Sequence, residues 1–389
     1  MKKRIIVFLM IFVVIFSISG CKKSFDYEQA MDEAMETIQN STKAHTYSNF
    51  VFNDDFGTKL TELSELANEN QENGTSPEDL EKIGTALSNI NFVLEQKADL
   101  DAFKIDMSML LNYESEKFIN INMFINDDFI FINEPDLLKQ GAMVKFGFLN
   151  DMMTQMPNSE NAEDIDLIGA IKQQVVDQQQ MTQKFLPIMD QIIEDNVSEP
   201  EVLETTIKFQ GEDLKTNEVK YSMDYVEALE LVKIFLDNEE FMALYEEVLA
   251  SQADYMTTMS GGTAIQSEEE MMQAFNESID EIKKSIDETL ADPEAVKVLE
   301  NYNLDVSYYF DEGIKSIKYD FDFFSVKSDY YSINEEITFD VPTEETSYVI
   351  EDQMGLYGIM GILNQEAIEN LQNHKLVTDF NELQSTPEY

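Results

Sequence analysis

From Phe103 to Met109 the chain alternates strictly. Phe103, Ile105, Met107 and Met109 are apolar, and Lys104, Asp106 and Ser108 are polar. A period of two sends successive side chains to opposite faces, so this stretch predicts a strand with one buried face. Ile119, Ile121, Met123 and Ile125 repeat the pattern against Asn120, Asn122 and Phe124. Polar breaks of hairpin length at 112–117 and 126–128 punctuate both runs, so residues 91–133 read as an antiparallel meander. A second meander is predicted from 304–310, 317–323 and 333–341, with a turn at Asp311-Glu312-Gly313.

Between these regions the period becomes helical. Ala30, Met31, Ala34, Met35 and Ile38 mark a short amphipathic helix, followed by a strand over 45–52 and helices over 59–70 and 77–88. A helical block over 147–196 is expected to break at Pro157 and to break or kink at Pro187. Strands over 203–209 and 219–223 flank a turn around 211–217. A helix pair follows over 225–250, hinged near Asp237-Asn238, and then a helical stripe from Ser267 to Leu290. Asp292-Pro293-Glu294 is a start signal for a further short helix. Residues 349–363 are apolar, with Gly355, Gly358 and Gly361 at three-residue spacing, which predicts a buried terminal helix or lid; the tail after Asn373 reads as loose.

Helices, strands, helices, a hairpin, helices and strands, in that order, predict an α+β fold with curved antiparallel sheet packed against helices. Two related halves, 27–200 and 201–345, fit that order, followed by an apolar segment and polar tail over 346–389.

Composition narrows the function. The chain has 389 residues, 43% of them hydrophobic, enough for real cores. With 26 Lys+Arg against 77 Asp+Glu, the formal charge of -51 removes the positive footprint that a nucleic-acid partner requires. One cysteine excludes an intramolecular disulfide and any cysteine-rich metal cage.

That cysteine, Cys21, follows a positive start (Lys2, Lys3, Arg4), twelve apolar residues from Ile5 to Phe16, and the stretch Ile18-Ser19-Gly20, which places small residues directly before it. The apolar run is a secretory core by length and flanks, too short to span a membrane. Ile18-Ser19-Gly20-Cys21 resembles the lipobox of bacterial lipoproteins. The resemblance implies a signal peptide over 1–20, cleavage between Gly20 and Cys21, and acylation of the Cys21 thiol, with 21–26 as a short tether. Two acyl chains suffice for stable anchoring where one is marginal. Removal of 1–20 takes three basic residues and no acid, leaving a formal charge of -54. The expected location is the outer face of the bacterial cytoplasmic membrane.

A search for chemistry returns little. Nucleophile-elbow, Walker A, dinucleotide and H-E-x-x-H strings are absent, as are EF-hand loops, so no catalytic residue, metal site or cofactor is assigned. The two histidines, His45 and His374, fall in a predicted strand and a predicted tail. Carboxylate catalysis would require two buried acids converging in a cleft. What remains is the apolar inventory: 26 Phe, 16 Tyr and 21 Met. Phe103, Met107, Met109, Ile121 and Met123 share predicted strand faces and are the candidates for lining an adaptable cavity, since thioethers repack around varied ligands. The plain alternative is that they form an ordinary core.

The sequence of lipobox, short helix, meander, helical insertion and further strands resembles LolA- and LppX-type lipoprotein carriers. It is also similar to uncharacterised lipoproteins of low-GC Gram-positive bacteria, through the strand-helix unit over 218–247. The resemblance implies an unclosed barrel with a concave apolar face able to hold an acyl chain or other hydrophobic ligand. The expected function is thus a non-enzymatic, lipid-anchored extracytoplasmic protein that binds such a ligand. The alternative is a structural or interaction lipoprotein with a filled core and an acidic face for cationic partners or ions.

Overall fold

The computed structural model describes residues 25–67, 77–154, 167–259 and 268–384. In chain order the elements begin with α1 (Tyr27–Gln39), β1 (Lys43–Phe52), α2 (Phe56–Ala67), α3 (Pro77–Ser88), β2 (Ile90–Asp99), β3 (Lys104–Tyr113), β4 (Glu116–Ile125), β5 (Phe129–Asn133) and β6 (Ala142–Lys145). They continue with α4 (Phe146–Thr154), α5 (Leu167–Asn196), β7 (Glu201–Phe209), β8 (Glu212–Asp224), α6 (Tyr225–Asp237), α7 (Glu239–Met259), α8 (Glu268–Ala291), α9 (Pro293–Leu299) and β9 (Asn303–Phe310). Last come β10 (Ile314–Phe321), β11 (Phe324–Ile333), β12 (Tyr348–Ile350), α10 (Gln353–Gly358), α11 (Gln365–Gln372) and α12 (Lys375–Gln384). The architecture is α+β, as the alternation of periods predicts.

Two compact units interleave along the chain. One comprises the described parts of Met1–Ser41, Leu149–Ile207 and Asp213–Ile314, the other those of Thr42–Phe148, Lys208–Glu212 and Lys315–Tyr389. Neither follows the sequential stretches 27–200 and 201–345.

The first unit has a filled core. Val219 of β8 faces Tyr308 of β9, Tyr221 faces Val306 and Met223 faces Leu304. All six are buried, as are Leu231, Val232 and Phe235 of α6 and Ile279, Ile282 and Ile286 of α8. The helix α6 starts where Asp224 accepts from the Glu227 N–H and Glu227 accepts from the Asp224 N–H, a reciprocal cap that satisfies two otherwise orphaned donors. Pro187 does not break α5. It lies inside a continuous helix whose Leu186, Met189, Ile192 and Ile193 are buried, and that docking outweighs the lost backbone bond. The turn between β7 and β8 is shorter than expected. Gln210 (φ 51) and Gly211 (φ 82) both take the left-handed conformation that a two-residue hairpin demands, so β8 starts at Glu212.

In the second unit the strand order is β12-β6-β5-β4-β3-β2-β1-β11-β10. The pairs are antiparallel except β12 with β6, which is parallel. The meander over 91–133 is present as β2 to β5. The strand expected at 333–341 is not: β11 ends at Ile333, and Asn334 (φ 57) turns the chain into an irregular stretch that reaches β12. The expectation of a buried helix over 349–363 is also corrected. Gly355 lies against the backbone of Val349 and Ile350, and a Cβ on Gly358 would fall 1.9 Å from the Tyr348 hydroxyl. Gly355 and Gly358 therefore form the packing side of α10, while Gly361 in the following turn meets nothing, and Met354 (81%), Tyr357 (79%) and Met360 (67%) are left exposed. Nor is the described part of the tail, as far as Gln384, loose, since α12 is fastened by Tyr113 to Asp379 and by Lys375 to Glu114.

Candidate functional site

The predicted stripe is assembled by strand register. Met107 of β3 stands opposite Met123 of β4, and Met109 opposite Ile121. Directly opposed residues of antiparallel strands share a face, so these four form one patch. The register extends it. Leu111 faces Ile119, Ile105 faces Ile125, and on the other side Leu94 and Phe92 of β2 face Met109 and Leu111. Ile132 of β5 continues the row beyond Met123. The sequence reading missed Phe92 and Leu94 because they sit in the unbroken apolar run Phe92-Val93-Leu94, which carries no alternation to assign a face.

Phe103 does not join the patch. It lies in the β2–β3 turn with φ 44, its N–H bonded to the Leu100 carbonyl, and is 5% exposed. The period of two that grouped it with Met107 stops where the turn begins.

Burial separates this patch from the core of the first unit. Phe92, Leu94, Met107, Met109, Ile119, Ile121, Met123 and Ile125 are all half-buried, and Ile132 is 42% exposed. Fully burying such a side chain is worth about 1.5–3 kcal/mol, and each of these realises only part of that. One end of the patch is closed. Tyr113, on the same face of β3, is buried, and α3 packs on β1 and β2 while Phe56 of α2 touches Phe52 at 5.0 Å between ring centroids.

Other candidates resolve separately. Gly20 and Cys21 lie outside the described residues. His45 Nε2 is 2.8 Å from Glu95, and the ring meets Tyr331 edge-on. His374 Nδ1 accepts from the Leu376 N–H, and its Nε2 is buried with no hydrogen-bond partner among the described residues, the ring lying beside Phe118. Neither histidine is bonded to a serine among the described residues. Among the described residues the buried acids are Glu134 and Asp329. Glu134 accepts from three backbone N–H groups, those of Asn120, Asp136 and Leu137, and Asp329 pairs with Lys327 at 2.7 Å. Asp329 sits on β11 and Glu134 just beyond β5, with β4, β3, β2 and β1 between those strands, so at a spacing of about 4.8 Å per strand the two acids do not converge. No cluster of metal-ligating side chains occurs among the described residues, and none of their helices is long and apolar enough to cross a membrane.

No protein-family model matches the chain, and no curated protein is similar to it. Two solved structures are similar over 80% of this chain at 8% identity and a TM-score of 0.27. They are the lipoprotein LppX of Mycobacterium tuberculosis, covered over 97% of its length, and LprF from Mycobacterium bovis, covered over 98%. At that score neither likeness bears on what this chain does.

Proposed function

We propose that the protein is a lipid-anchored, extracytoplasmic, non-enzymatic binder that holds an acyl chain or other hydrophobic ligand against the Met107, Met109, Ile121 and Met123 face. One contrast carries this reading. Two stretches of sheet bear the same kind of apolar stripe. In β8 and β9 the stripe is at most 6% exposed, whereas in β2 to β4 its residues beyond Tyr113 are only partly buried. A contiguous apolar surface of this kind on a folded protein marks a place for a partner molecule. The two opposed methionines supply side chains that adjust to ligand shape at low cost.

Anchoring through Cys21 rests on the lipobox-like string before it. No helix of the described residues is long and apolar enough to cross a membrane.

The test is native mass spectrometry of the full chain extracted from its own host's membranes. The reading expects a co-purifying lipid that is lost in Met109→Asp and Ile121→Asp, and a Cys21→Ser protein released into the soluble fraction. A lipid-free mass for the unaltered chain, or firm membrane retention of Cys21→Ser, overturns the corresponding half.

A second reading, an interaction lipoprotein, is favoured by the exposed Met354, Tyr357 and Met360 tip. It predicts that Tyr357→Ser removes a protein partner while lipid binding persists.

A further inference from the structure

The face of β2 to β5 opposite the apolar stripe is built differently. Register lays out two parallel rows. Glu95, Ser108, Asn122 and Asn133 follow one another across the four strands, and beside them run Lys97, Asp106, Phe124 and Phe131. Asp340 and Pro342, from the irregular stretch after β11, line the same groove, which has a volume of about 390 Å³. That stretch is held in place by Phe339, packed 6.3 Å from Phe124, and by the Lys145–Glu344 ion pair.

The side chains here have capacity to spare. Lys97, Asp106, Asn122, Asn133 and Asp340 make no side-chain hydrogen bond or ion pair with any described residue. Ser108 has only a 3.4 Å contact to Asn120, and Glu95 is engaged with His45. Exposed polar groups are normally satisfied by water. A half-enclosed groove concentrating this many unpaired groups is instead what an oriented polar ligand requires.

Their chemistry selects the ligand. A sugar hydroxyl both donates and accepts, and a vicinal pair is matched by carboxylates that accept, amides that do both and an ammonium that donates. Asp106 and Asp340, Asn122 and Asn133, and Lys97 are that set. The half-buried Phe131 ring offers an apolar surface to the C–H face of a pyranose. An organic cation would be drawn by the carboxylates of Glu95, Asp106 and Asp340, but it would leave Lys97, which stands opposite Asp106, and the two amides without a role. Burial, together with Glu95 and Asp340, also holds the Asp106 carboxyl above the usual range, against the pull of Lys97 and His45.

We propose that this groove binds a neutral mono- or disaccharide, independently of any hydrophobic ligand on the opposite face. The test is titration calorimetry of the full chain in a polyoxyethylene detergent, because a maltoside would compete. The probes are glucose, mannose, N-acetylglucosamine, cellobiose and chitobiose, with spermidine as the cationic comparison. At least one sugar is expected to bind with a Kd of about 1 mM or tighter. Its affinity should change less than about twofold between about 0.05 M and 0.5 M salt, since no net charge is neutralised. Asn122→Ala and Asp106→Asn should each weaken it about tenfold. Neither side chain supports the fold through a hydrogen bond, so the melting temperature reports that both variants are intact. The proposal is overturned if no sugar binds, if both variants bind as well as the parent, or if only spermidine binds, with steep salt dependence and loss in Asp106→Asn.

Discussion

The hydroxyl of Tyr113, at the end of β3, donates to Oδ2 of Asp379 in α12 at 2.6 Å, joining positions 266 residues apart. Burial first, and then Asp379, push the Tyr113 hydroxyl up to about 12. The neutral phenol is therefore favoured in the folded state. Above its ordinary value near 10 the unfolded chain ionises first and binds fewer protons, so this contribution is complete below about pH 10 and is lost as pH rises toward 12. Tyr113→Phe should cost about 1 kcal/mol at neutral pH and flatten the fall in stability between those values. Urea unfolding across the alkaline range checks both.

Gly57 of α2 and Gly84 of α3 let two helices meet backbone to backbone. A Cβ on Gly84 would fall 2.0 Å from the Gly57 Cα, and one on Gly57 would fall 2.8 Å from the Glu81 carbonyl. Rigid backbone cannot yield as a side-chain tip does, so Gly84→Ala forces the helices apart. The expected cost is about 1–3 kcal/mol, despite alanine's better helix propensity. A lower urea midpoint, with faster amide exchange in α2 and α3, is the readout.

Glu134 organises the turn after β5 by accepting from the N–H groups of Asn120, Asp136 and Leu137. Both carboxylate oxygens are used. Glu134→Gln replaces one acceptor with a donor that faces backbone donors in a buried place, so it should destabilise by about 1–3 kcal/mol. Glu134→Asp, too short to reach all three, should fall between. Thermal melts of both variants decide it.

Asp106 has the opposite sign to a stabilising carboxylate. Its raised value means that the unfolded chain releases this proton more readily than the folded one, so the ionised carboxyl burdens the fold at neutral pH. Asp106→Asn should therefore raise the melting temperature at pH 7. The gain should shrink as pH falls through the carboxylate range, where the parent side chain becomes neutral in both states. An unchanged or lower melting temperature at pH 7 would refute this account.

Strand faces are legible wherever one residue in two is apolar, and that alternation alone groups Met107, Met109, Ile121 and Met123. The turn that removes Phe103 from them was not legible, because a left-handed φ at phenylalanine has no compositional signature. Units that interleave were equally hidden, since which helix docks on which strands is a long-range matter that local periodicity does not encode. In the 349–363 segment the glycine spacing is visible and suggests a buried helix or lid, but Gly355 sits against backbone, Gly358 against the Tyr348 hydroxyl and Gly361 against nothing, and no periodicity tells these apart. The groove with Asn122 and Asp106 lay on the polar positions of the same alternation. There the sequence pointed only to solvent, and the covering stretch with Asp340 arrives from more than two hundred residues away.

The inward Gly355 and Gly358 of α10 leave the sulfurs of Met354 and Met360 in water, while Met31, Met143 and Met189 are sealed at 1% exposure. An oxidant reaching the molecule meets the outer thioethers first and converts them to sulfoxides, which turns a greasy tip polar without disturbing the interior. Among the methionines whose side chains are described, that corner takes up oxidative injury, and a sulfoxide reductase would have direct access to undo it there.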